Sequence, residues 1–138
     1  MKKSQNIEEL LVGFSGNVPA RENIISNAEA KLSKLLPSDF KELLKISNGG
    51  EGNIGNQYLI IWAIEELAAY NEQYEVAKYA PGLLVFGSNG GGEAYAFDYR
   101  IGSCSGVVKI PFVGMTLQYA EDFAPNFIDF LRRLRNEK

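Results

Sequence analysis

The chain has no histidine. That absence excludes a Ser-His-Asp or Cys-His catalytic arrangement and removes the imidazole ligands that zinc and iron favour. Cysteine is almost absent as well: Cys104 stands alone, so no intrachain disulfide forms. Long apolar runs are missing. No uninterrupted stretch suffices for a signal-peptide core or a membrane span, so a soluble cytoplasmic protein with no membrane partner is expected. Positive charge is not in excess either. The formal net charge is −3 and the pI about 5.0, without the basic footprint of a direct nucleic-acid binder.

What is present suits one folded unit. A chain of 138 residues buries enough surface for a single core without a disulfide or metal as a staple. Its charge is unevenly spread: residues 53–130 carry three basic and nine acidic side chains. A solvated surface accounts for such a bias. So does an electrostatic face for a basic partner.

Helical spacing dominates the first third. Asn6-Ile7-Glu8-Glu9 reads as a helix start, with Ile7, Leu10, Leu11 and Phe14 apolar, before a loop at Ser15–Pro19. A second helix is predicted over Glu22–Ser33, with Ile25, Ala28 and Leu32 inward. A third runs from Pro37 to Ser47. Proline suits its first turn and Asn48-Gly49-Gly50 its end.

The pattern then changes. After a glycine-rich turn, Tyr58–Trp62 reads as a buried strand and Ile64–Glu75 as a helix. Leu83–Phe86 and Glu93–Asp98 read as strands joined by a Ser88–Gly92 turn. Gly106–Ile110 makes a fourth strand, and a last helix starts near Pro125. Hairpin-linked strands predict an α+β domain, with a mostly antiparallel sheet of four or more strands and helices packed on one side.

Motifs of chemistry fail one by one. Gly87–Gly92 is glycine-rich, but Glu93 follows where a phosphate loop needs lysine and a hydroxyl, and no helix opens after it. A hairpin turn explains it better. Glu51, Glu93 and Asp98 match no calcium loop. Cys104 sits in a turn of small residues without histidine to activate it. The expectation is no enzyme, no metal and no cofactor. Trp62 and the tyrosines at 70, 74, 79, 95, 99 and 119 read mostly as core, with some free to line an exposed groove.

The stretch "LPSDFKELLKISNGGEG", preceded by Ile25, Glu29 and Leu32, resembles the signature of the SUKH superfamily. Ser33-Lys34-Leu35 adds length before Pro37. Asn71 and Tyr74, "PGLLVFGSNGGGEAYAFD" closing on Asp98, "VVKIPFVG" and the Phe-rich final helix match in order. Coverage is roughly residues 20–135, leaving 1–19 as an N-terminal extension.

The resemblance implies a non-catalytic α+β protein that binds another protein. Many bacterial relatives are immunity proteins, and eukaryotic ones include a cell-wall synthesis regulator. The implied function is binding and neutralising a cognate toxin domain, a nuclease with a basic surface being one candidate. The alternative is a small-molecule or regulatory module with a pocket between sheet and helices. The expected partner face gathers Asn48, Glu51, Trp62, Glu65, Glu72, Tyr74, Glu75, Asn89 and Glu93.

Overall fold

Alternation and helical periodicity become a seven-stranded antiparallel sheet and its helices in a computed structural model, which describes residues 7–137. The strands are β1 (Phe14–Gly16), β2 (Gly50–Ile54), β3 (Gln57–Ile61), β4 (Leu83–Ser88), β5 (Glu93–Asp98), β6 (Val107–Pro111) and β7 (Glu121–Ala124). They lie side by side in chain order, so the sheet is a meander. The helices are α1 (Ile7–Leu10), α2 (Glu22–Leu32), α3 (Ser38–Ile46), α4 (Leu67–Gln73), α5 (Val76–Tyr79) and α6 (Phe127–Asn136). A 3-10 turn, Ile64–Glu66, leads into α4.

The sheet is buried on both faces, but unequally. One face carries Leu59, Ile61, Leu84, Phe86, Tyr95 and Phe97 into the main core with α1, α2, α3 and α6. Phenylalanine dominates there: Phe40 lies 5.0 Å from Phe97 and 5.1 Å from Phe127, ring centre to ring centre. Such tilted contacts suit the aromatic quadrupole. The other face carries Val85, Ala94, Ala96, Val108 and Ile110 against Val76 and Ala80 of α5 and Met115. Helical cover is therefore not confined to one side, as the sequence suggested.

Polar side chains fix the joints. Asn126 caps α6, accepting a hydrogen bond from the Asp129 amide at 2.8 Å, and Asp39 accepts one from the Ile128 amide at 3.1 Å. Glu29 accepts the Leu36 amide at 2.8 Å and pairs with Lys41 at 3.1 Å. Asn71 takes the place of a strand. Its amide donates to the Val85 carbonyl at 2.8 Å and accepts from the Val85 amide at 2.9 Å. β3 reaches only the Gly87–Ser88 end of β4, so these Val85 groups have no β3 neighbour.

Three strands depart from the sequence reading. Phe14–Gly16 is an edge strand, where a helix end and a loop were expected. Gly50–Ile54 is a strand, where a turn was expected. Glu121–Ala124 forms β7 ahead of the last helix. β2 escapes detection because Gly50 and Gly52 sit at φ +139° and +154°, with β1 so close that a Cβ on either would meet its backbone. The N-cap expected at Asn6 lies outside the described residues. At the far end Arg135 reaches back, its guanidinium donating to the Leu10 and Val12 carbonyls at 2.8 and 2.6 Å.

Candidate protein-binding face

β3 carries the centre of the site. Tyr58, Ile60 and Trp62 alternate with the buried Leu59 and Ile61, so they stand on the less covered face of the sheet. The expectation of a fully buried strand is thus corrected: Tyr58 is exposed, and Ile60 and Trp62 are half-buried. Alternation was legible, but an unbroken apolar run masked it.

α4 brings the second set of rings. Tyr70 and Tyr74 are four residues apart, hence on one helical face. Trp62 lies 4.5 Å from Tyr70 and 6.2 Å from Tyr74, its ring within 3° of parallel to the latter. Phe112, just past β6, closes the group at 4.8 Å from Tyr74. Trp62 and Tyr74 were expected on the face. Tyr70 and Phe112 were not, although the Tyr70–Tyr74 spacing was a signal. Tyr74 remains 40% exposed, so the cluster is open to solvent there, while Trp62 and Phe112 are half-buried against the core.

Of the expected acids on α4 and its end, Glu72 is two residues from both Tyr70 and Tyr74 and so lies on the opposite helix face from the rings. Glu72 and Glu75 flank Tyr74 and are exposed, and no ion pair among the described residues uses either. Glu75 holds a left-handed backbone, φ +54°, as the chain turns from α4 into α5. Glu51 stands opposite Ile60 on β2 and accepts a hydrogen bond from the Tyr58 hydroxyl. That bond raises the Tyr58 pKa above the usual tyrosine range.

The remaining expected residues do other work. Asn48 accepts from the Ile64 amide at 2.8 Å and donates to Glu65 at 2.6 Å, so both brace the turn into α4. Asn89 shapes the hairpin, accepting from the Gly91 and Glu93 amides at 2.8 and 3.1 Å. Glu93 shares a sheet face with Tyr95 and Phe97, the face opposite Trp62. The glycines of 90–92 are a hairpin turn between two strands.

Among the described residues, no three His, Cys, Asp or Glu side chains gather as metal ligands. Burial pushes the Cys104 thiol up, away from the reactive thiolate. Two open clefts, of about 530 and 450 Å³, adjoin at Gly106, Val107 and Pro125. Two of their acids are engaged: Asp98 holds Arg100 through two bonds of 2.9 and 2.8 Å, and Asp39 caps α6, while Asp122 is exposed. No helix among the described residues is long and apolar enough to cross a membrane.

A meander sheet with a helical layer and a half-open aromatic plate defines a class of α+β module. A family model places it further: the match to the SMI1/KNR4 family (SUKH-1) spans residues 19–133, and the chain belongs to that family. No curated protein matches the chain.

Proposed function

We propose that this protein is an immunity protein that binds a cognate toxin domain and neutralises it. Membership of the SUKH-1 family agrees with an immunity or regulator-like role. The observation that carries the reading is the Trp62–Tyr70–Tyr74–Phe112 plate. Partly exposed aromatic rings are the side chains that most often anchor a protein interface. The acidic bias of residues 53–130 would speed association with a basic partner, while the rings hold it.

The test is co-expression with the toxin domains encoded beside its gene. The intact protein restores growth and co-purifies with one of them. Tyr74→Ala and Phe112→Ala each weaken that complex by about 2 kcal/mol or more, the range of interface hot spots. If no toxin domain is bound or neutralised, the immunity reading fails.

A further inference from the structure

Resting on the protein-binding reading, we infer that the free edge of β1 takes an extended segment of the partner as a further strand, with a lysine of that segment reaching Glu51 across Ser15.

The first observation is a set of unpaired backbone groups. β1 ends the sheet, with β2 on one side only. The tight turn between Ile54 and Gln57 makes those two a hydrogen-bonded pair, so Gly52 and Gly50 also bond toward β3, and Glu51 bonds toward β1. Ser15, opposite Glu51, is therefore the β1 residue that bonds to β2. Asn17 continues this phase, donating to the Gly49 carbonyl at 3.2 Å. Gly16 then turns its N–H and C=O outward, and Phe14 its C=O; the Phe14 amide is taken by the Leu11 carbonyl at 2.9 Å. Among the described residues, neither Gly16 group has a hydrogen-bond partner.

The second is the contrast between the two edges. At β7, Arg133 occupies the Phe123 carbonyl at 2.7 Å, and Glu121 and Asp122 line the strand with charge. β1 has no proline and no charged residue, so brevity alone blunts it. Three outward groups bind too weakly by themselves, so an occupant must bring side-chain contacts as well.

The third is where those contacts lie. Ser15, Glu51 and Ile60 stand opposite one another in a row on the face that carries Trp62. Ser15 and Glu51 are exposed. Glu51 accepts from the neutral Tyr58 hydroxyl and enters no ion pair among the described residues. From Ser47 to Ala77 the chain has no lysine or arginine, so β2, β3 and α4 offer this carboxylate no cation. A residue added opposite Ser15 shares its face, and a lysine stem passes over the small serine to Glu51. A second copy's β1, Phe14-Ser15-Gly16, has no lysine to give.

The probe is a synthetic peptide, threonine-valine-lysine-valine-threonine, blocked at both ends. Set antiparallel to β1, its valines fall opposite Phe14 and Gly16 and its lysine opposite Ser15. The isotope-labelled full-length protein is titrated while the Gly16 amide is followed by NMR. A saturable shift is expected, with Gly16 exchange slowed at least tenfold at saturation. Methylating the two valine nitrogens, which donate to the Phe14 and Gly16 carbonyls, should weaken binding at least tenfold. Methylating the lysine nitrogen, which points away from β1, should cost less than threefold. Glu51→Gln, at an exposed position, and norleucine in place of the peptide lysine should each weaken binding at least threefold and flatten its salt dependence.

No saturable shift at Gly16 overturns the strand addition, and so do equal losses from the two methylations. Gly16 protection that rises with protein concentration in the absence of peptide also overturns it, and assigns the edge to a second copy. Unchanged affinity in Glu51→Gln overturns the lysine contact. A neutralised toxin domain whose complex leaves Gly16 exchanging freely would sink the edge and leave the immunity function standing.

Discussion

Asn71 shows how one side chain substitutes for part of a strand. It satisfies the donor and the acceptor of Val85 at once, and also donates to the Leu67 carbonyl at 2.8 Å. Val85 is wholly buried, so removing the amide leaves both backbone groups without a partner. Asn71→Ala should cost about 2–4 kcal/mol, with urea unfolding as the measure. Asn71→Asp keeps the shape but loses the donor, so it should be destabilised too. Asp98 carries the pH dependence at this scale. Arg100's hydrogen bonds hold its carboxyl below the usual carboxylate range. A depressed folded pKa stabilises above the unfolded value of about 3.9, and the contribution fades as pH falls through the folded one. The stability gap between the native protein and Asp98→Asn should therefore be full at pH 6 and shrink below about pH 4. A gap constant from pH 6 to pH 3 would refute the ion pair's role.

Among the elements, β1 and α1 precede the family match yet complete the fold. Ile7 and Leu10 are buried in the main core, and β1 pairs along β2 through Phe14, Ser15 and Gly16. A protein lacking residues 1–16 should lose several kcal/mol, since each buried aliphatic side chain contributes about 1.5–3 kcal/mol. Amide exchange in Gly50–Ile54 should accelerate as the sheet acquires a bare edge. Equal denaturation midpoints for the two forms would show the extension to be dispensable. Gly49 offers a sharper probe of the turn into β2. It sits at φ +78°, and a Cβ there would meet the Ile61 carbonyl at 2.5 Å. Gly49→Ala should be destabilised by more than 1 kcal/mol, because strain and collision act together.

These elements also mark what the sequence could tell. α3 and α6 were legible because each carries a strong helical period, and β4 and β5 because sharp turns bound short apolar runs. Pro37 and Asn48-Gly49 bound α3, and Asn89–Gly92 separate the two strands. β1, β2 and β7 were hidden because they are short, glycine-rich or acidic, and only their neighbours make them strands. At the candidate site, Trp62 and Tyr74 were named from residue type, while Phe112 was not. It joins them through the register of β6, a tertiary fact with no local trace. Glu93 failed to join because it lies two and four positions before the inward-facing Tyr95 and Phe97, and so on their face of the sheet.

Across the whole molecule, the two hydrophobic clusters share one sheet, so neither can melt alone. Trp62 packs against both. Tryptophan emission and far-UV circular dichroism should report one coincident unfolding transition. Phe40→Ala, at the centre of the phenylalanine group, should lower stability by about 3–5 kcal/mol while keeping the transition single. Two separated transitions would instead mark independent clusters.

The clasp of Arg135 on Leu10 and Val12 has a consequence for how the protein is made. Strands in chain order can zip up one after another as the chain leaves the ribosome. The main core cannot close that way, because α6 emerges after every element it packs against. Until then Leu10, Phe40 and Phe86 wait uncovered, and a nascent chain in that state is a client for chaperones. Ribosome-bound chains halted before Phe127 should be protease-sensitive throughout, whereas release of the final helix should confer resistance in a single step.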